Sequence, residues 1–168
     1  LQIGHRKSID LDLFTQSDFE AGSILEYLID NGFKPDVKYN QKQTLIVDIQ
    51  GIKVDFIRFR YPFNQDILLS DDIRLADIRD IACMKIDAIM GRGKKKDFFD
   101  LYCLLKTYTL PEIMGWYALM YKHSTLFHVY KSLTWFEDAD MDGELVVFDK
   151  KDEIKRYDGD FALNYRIS

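Results

Sequence analysis

Proline and cysteine are scarce in this chain of 168 residues: three prolines, two cysteines and nine glycines. None is frequent enough for a proline-rich linker, a disulfide framework or a glycine-rich repeat. No apolar run approaches the roughly 20 residues that span a bilayer, so no membrane partner is expected. The first seven residues bring His5, Arg6 and Lys7 together and hold no apolar stretch of the signal-peptide kind. Cys83 and Cys103 fall in helical patterns without metal-ligand spacing, which predicts reduced thiols in a cytoplasmic protein. An excess of positive charge is missing as well, since the formal net charge is −5. That value is local. Of 23 Lys and Arg and 28 Asp and Glu, the segment 137–160 holds four and ten, so the rest of the chain carries 19 and 18. A near-neutral body with basic clusters leaves a polyphosphate or RNA partner open. With 47% hydrophobic and 30% charged residues, the chain can bury a core and is not of the disordered class.

Residues 8–14, Ser-Ile-Asp-Leu-Asp-Leu-Phe, alternate strictly, which predicts a strand with Ile9, Leu11 and Leu13 on one face and Asp10 and Asp12 on the other. Ser17 and Glu20 have the spacing of a capping box for a helix whose stripe is Ile24, Leu25, Leu28 and Ile29, stopped by Asn31-Gly32. The β-rich runs 44–49 and 52–59 around Gln50-Gly51 suggest a hairpin. Helical patterns follow over 76–90, from about 96 to 106, after Pro111, and over 125–136. The segment 146–148 reads as a short strand and 151–157 as a last helical turn or two. Strand, helix, hairpin and then helices predict an α+β fold: a small mixed sheet at 1–75 and a helical C-terminal part at 76–168.

Asp10 and Asp12 would lie about 6.5–7 Å apart on one strand face. That spacing suits carboxylates that share or flank Mg²⁺, which takes a few carboxylates together with waters and substrate phosphates. Asp55, between Val54 and Phe56 on a neighbouring strand candidate, is a possible third ligand. Against this stands a plain solvated acidic face. Aspartate is disfavoured in strands, and three at inner positions of apolar strands call for a reason. Lys85 falls on the apolar stripe of its helix, four residues after Ile81 and four before Ile89; there it snorkels or meets a buried anion such as a phosphate. The loop Arg92-Gly93-Lys94-Lys95-Lys96 is either a solvated connection or an electrostatic trap for polyphosphate or an RNA backbone. Asp97 opens the next helix, with Asp100 on the same face.

Taken together, these pieces resemble the AbiEii/AbiGii family of nucleotidyltransferase toxins. Leu1 to Phe14 is similar to the family's first signature, and Ile81 to Leu105, with Lys85, Arg92 and Lys96-Asp97-Phe98-Phe99-Asp100-Leu101-Tyr102, to its later ones. Ser132 to Ala139 resembles its tail. The resemblance implies a polymerase-β-like nucleotidyltransferase core in a bacterial toxin–antitoxin or phage-defence system. It implies Mg²⁺ or Mn²⁺, an NTP substrate, an RNA (tRNA-like) or protein acceptor, and a cognate antitoxin. Carried onto this chain, Asp10 and Asp12, with Asp55 assisting, hold metal. Lys85 and Asp97 join the two strand carboxylates as catalytic residues, with Asp100 competing for the late acidic role. His5, Arg6, Ser8, Lys85, Arg92 and Lys94 bind substrate phosphates. The family also has a Gly-rich phosphate-holding turn about ten residues before the carboxylate strand, a position that falls ahead of Leu1. The second reading is therefore a non-catalytic remnant of the fold that pairs with an antitoxin.

Asp138, Asp140, Asp142 and Gly143 match the opening of an EF-hand loop. The twelfth position is Asp149 where a bidentate Glu belongs, and Val146-Val147 reads as strand, so no calcium binding is expected. His123 and His128 lack metal spacing. The aromatic group Tyr102, Trp116, Tyr117, Tyr121, Phe127, Tyr130 and Trp135 is expected to serve helix packing before base stacking.

Overall fold

The computed structural model describes residues 2–143 and 145–147. The chain forms two compact units, Ser8–Pro62 and the remainder, in which the residues before Ser8 join those from Phe63 onward. The fold class is the α+β architecture expected, a four-stranded mixed sheet and a set of helices.

In the sheet unit, β1 (Asp10–Thr15) is followed by helix α1 (Ala21–Asp30) and by β2 (Pro35–Gln41), β3 (Thr44–Ile49) and β4 (Ile52–Arg58). The strand order is β1-β4-β3-β2. β1 runs parallel to β4, and the other neighbours are antiparallel. Alternation places Leu11, Leu13, Val54, Phe56, Leu45 and Val47 on one face, and α1 packs Ile24 and Leu25 on the core formed by Leu45, Val47 and Val54. The opposite face carries Asp10, Asp12, Lys53 and Asp55. Among the described residues β1 is an edge strand of this sheet.

The hairpin between β3 and β4 turns through Gln50 and Gly51 with φ of 57° and 83°, the pattern of a two-residue turn with both central residues left-handed. Asp48 Oδ1 accepts from the Gly51 N–H at 2.8 Å. Helix α1 begins at Ala21, and Ser17 does not cap it. The Ser17 N–H donates to Thr15 Oγ1, while Gln43 clasps the main chain of Phe19 through both amide atoms, so the chain stays non-helical through residue 20. At its other end Phe33 N donates to Leu28 O and Gly32 N to Ile29 O, a Schellman stop at the predicted Asn31-Gly32.

The helical unit opens with a short hairpin, β5 (Leu68–Ser70) and β6 (Ile73–Leu75). Helices α2 (Ile78–Arg92), α3 (Lys95–Leu105), α4 (Leu110–Met120), α5 (Leu126–Leu133) and the single turn α6 (Glu137–Asp140) follow. Its core joins Ala82, Cys83, Ile86 and Ile89 of α2 to Leu101 and Leu104 of α3, Ile113, Tyr117 and Met120 of α4, and Val129 and Leu133 of α5. Neither cysteine is in a disulfide, and burial pushes the Cys83 thiol up to about 12. Asp77 caps α2 through the Arg79 N–H, and Gly93, in the left-handed region, ends it; Gly91 lies within the helix. Thr109 and Glu112 form a reciprocal capping box on α4, with Pro111 in its first turn. Residues 2–7 belong here because Gln2 Nε2 donates to Ala76 O, and Lys7 N donates to Val146 O. Val147 makes an isolated bridge to Arg6. The expected strand residue Phe148 and the turn at 151–157 lie outside the described residues. No helix among the described residues is long and apolar enough to cross a membrane.

Candidate active site

The sheet unit gathers the three predicted metal carboxylates on one face. Parallel pairing sets Asp12 opposite Asp55 and Asp10 opposite Lys53. Neighbouring strands lie about 4.8 Å apart, and Asp10 and Asp12 follow each other by about 6.6 Å along β1. Asp55 is 8% exposed, on a strand held between β1 and β3. Its Oδ2 pairs with Lys53 Nζ at 2.5 Å, and its Oδ1 is buried without a hydrogen-bond partner among the described residues. A buried unpaired carboxylate oxygen is costly unless something cationic or protonated meets it.

Among the described residues, no three His, Cys, Asp or Glu side chains converge closely enough to hold a metal ion outright. The row suits an open site better than a closed cage. Mg²⁺ commonly takes one or two carboxylates and completes its shell with waters and substrate phosphates. Asp12 and Asp55 would be such a pair, with Asp10 alongside and the buried Asp55 Oδ1 as a ligand atom. Lys53 is the residue that sequence reasoning passed over. Its signal is period 2: it shares a strand face with Asp55 and so faces the row.

The helical unit gathers the other candidates around two buried aspartates. Asp100, in the middle of α3, accepts from His5 Nε2 at 2.6 Å, from Arg6 Nε and Nη2 at 2.5 and 2.8 Å, and pairs with Lys85 Nζ at 2.7 Å. Asp97, one turn earlier and fully buried, pairs with Lys85 at 3.1 Å and takes the Arg92 fork at 2.8 and 3.0 Å. Burial pushes both carboxyls up. The hydrogen bonds and charges of Arg92 and Lys85 at Asp97, and of Arg6, His5 and Lys85 at Asp100, outweigh it and hold both below the ordinary carboxylate range, Asp100 furthest. Lys85 thus meets buried anions, but they belong to the protein. Three cations, Arg6, Lys85 and Arg92, face the two carboxylates.

Ser8 is exposed ahead of β1. Lys94 lies 3.7 Å from Asp142 Oδ1, and the other Asp142 oxygen accepts from the Lys95 N–H at 2.8 Å at the start of α3. The described part of the acidic segment is therefore latched onto the basic loop and supplies a cap that α3 lacks locally. The would-be calcium ligands Asp138 and Asp140 lie in the helical turn α6, and Asp149 is outside the described residues. Asp80, another fully buried carboxylate, accepts from the N–H groups of Asn64 and Gln65; burial pushes its carboxyl up, and those bonds only partly oppose it.

The sequence model of a family described as nucleotidyl transferase AbiEii toxin, type IV toxin–antitoxin system, matches residues 1–146. An uncharacterized protein of Aquifex aeolicus (strain VF5) is 38% identical over 145 residues, covering 83% of this chain and 70% of that protein. The crystal structure of JHP933 from Helicobacter pylori is similar at a TM-score of 0.48 and 18% identity, over 76% of this chain and 73% of that one.

Proposed function

The chain belongs to the family of nucleotidyl transferase AbiEii toxins of type IV toxin–antitoxin systems, and from that premise we propose that it transfers a nucleotide from an NTP to an RNA or protein acceptor with Mg²⁺ or Mn²⁺. The observation that carries this reading is the in-register row Asp10, Asp12 and Asp55 with the orphaned Asp55 Oδ1. A bound divalent ion would supply charge to the polyphosphate and lower the pKa of the attacking hydroxyl. Asp12 and Asp55 hold it from adjacent strands, with Asp10 as the further ligand. Lys53, on the same face as the row, would offer a positive group to a phosphate oxygen. In the helical unit, the buried Asp97 positions Lys85 and Arg92. The cognate partner is an antitoxin protein.

A second reading, a non-catalytic module that only binds an antitoxin, draws on edge strand β1, whose Leu11 and Leu13 remain 41% and 40% exposed. One assay separates the two. The protein is incubated with Mg²⁺, each α-labelled NTP and total RNA or protein. Label should move to an acceptor, require the metal, and fall at least about hundredfold in Asp12→Asn. No transfer with any NTP, or transfer that survives Asp12→Asn, contradicts the enzymatic reading.

A further inference from the structure

A cavity of about 280 Å³ opens in the helical unit between the C-terminal ends of α2 and α5. Met90 forms part of its apolar wall, and the Trp135 indole, 50% exposed, stands in it. Arg92 comes from the end of α2 and Lys131 from the last turn of α5, and Ser132 and Asp138 add a hydroxyl and a carboxylate. Trp135 lies beyond the end of α5 and is half-buried.

Two features show that this wall is built. Arg92 is held in place by its fork to the fully buried Asp97 while half of its side chain stays exposed. Gly93, at φ 55°, lets Asp138 approach closely: a Cβ there would lie 3.3 Å from the Asp138 Cβ and 3.4 Å from its Oδ2. The contents call for one kind of ligand. A half-exposed indole favours a flat aromatic ring. Cations from two helices favour an anionic ligand. A carboxylate and a hydroxyl accept from an exocyclic amine or a ribose hydroxyl. An acidic peptide would meet Asp138. The volume falls just short of the usual ligand-pocket range of about 300–1,000 Å³, suited to one base with its sugar and too small for a duplex.

We propose that this cavity takes one unpaired nucleotide of an RNA strand, with its base stacked on Trp135 and its flanking phosphates met by Arg92 and Lys131. The inference rests on the reading of RNA as the acceptor and gives that acceptor a docking point on the helical unit. Base stacking on an aromatic side chain combined with backbone cations is the common way to grip a single strand without reading its sequence.

The test is fluorescence anisotropy of a labelled single-stranded oligoribonucleotide at low salt, with EDTA and without NTP. The parent protein should bind, with affinity falling as salt rises. Trp135→Ala should weaken binding about 5- to 150-fold, Trp135→Phe should retain most of it, and Lys131→Glu should weaken it with a shallower salt dependence. AMP should compete far less well than the oligonucleotide. Both altered side chains are exposed, and thermal melts of the variants check that they fold. Because metal and NTP are absent, this binding readout stands whether or not the transfer assay succeeds. The inference is overturned if the parent binds no oligonucleotide, if a folded Trp135→Ala binds as the parent does, or if AMP competes as well as the strand.

Discussion

Replacing Asp100 by Asn perturbs the most heavily bonded carboxylate of the helical unit. Asp100 is 4% exposed and takes His5, both Arg6 donors and Lys85 within 2.8 Å. The Arg6 and Lys85 side chains are only 12% and 20% exposed, so solvent screens these pairs weakly. An Asn presents one acceptor oxygen and no charge, which leaves two enclosed cations facing an amide. Breaking a buried pair from one side costs about 3–5 kcal/mol. For a chain of this size each kcal/mol moves Tm by roughly 2–4 °C, so calorimetry should show a drop of about 6–20 °C. The pH dependence has a definite sign. The Asp100 carboxyl is held well below its ordinary value, so its contribution is fully present above the unfolded-state pKa near 4 and is lost as pH falls below that. Between pH 5 and 3 the parent should lose stability more steeply than Asp100→Asn. A variant that melts within about 2 °C of the parent, with the same acid slope, would show that the network is not what holds α3 to the N-terminal segment.

Removing the amine that sits on Asp55, by Lys53→Met, should tighten Mn²⁺ binding about fivefold in the absence of nucleotide, the worth of one unit charge at 4 Å in water; weaker binding would mean that Lys53 supports the row. Asp142→Ala removes the distant cap of α3 and should cost about 1 kcal/mol, read as a Tm fall of roughly 2–4 °C. Gly93→Ala imposes a Cβ on a left-handed residue and on Asp138, and chemical denaturation should report a loss of about 1–2 kcal/mol. Millimolar calcium should produce no stoichiometric heat in a titration; heat that disappears in Asp138→Ala would establish the calcium site rejected above.

Local chemistry made much of this legible in the sequence. Period 2 over residues 8–14 placed Asp10 and Asp12 on one face, and Gln50-Gly51 and Asn31-Gly32 marked their turns. Strand β2 was not anticipated because Lys42-Gln43, which turns it into β3, has both φ values positive without a Gly or Asn to signal it, and the strand is mostly exposed. The Asp71-Asp72 turn hid β5 and β6 in the same way. The Ser17 cap failed because a side chain 24 residues away, Gln43, fixes the backbone at Phe19. In the site, non-local pairing decided what spacing could not. Asp55 meets Asp12 only through the parallel register of β1 and β4, and the basic residues His5 and Arg6 turn to Asp100, some 95 residues on, as structural partners. Asp142 reads as one acid among many until its bond to Lys95 is seen.

Whether Asp10, Asp12 and Asp55 form a divalent-metal site is read most directly by titrating the protein with Mn²⁺ in the presence of a non-hydrolysable NTP analogue and following the free ion by electron paramagnetic resonance. The parent should bind Mn²⁺ stoichiometrically, and Asp12→Asn and Asp55→Asn should each weaken binding by at least about tenfold while keeping the parent's circular dichroism. Mn²⁺ bound with unchanged affinity by both folded variants would contradict the assignment of this carboxylate row.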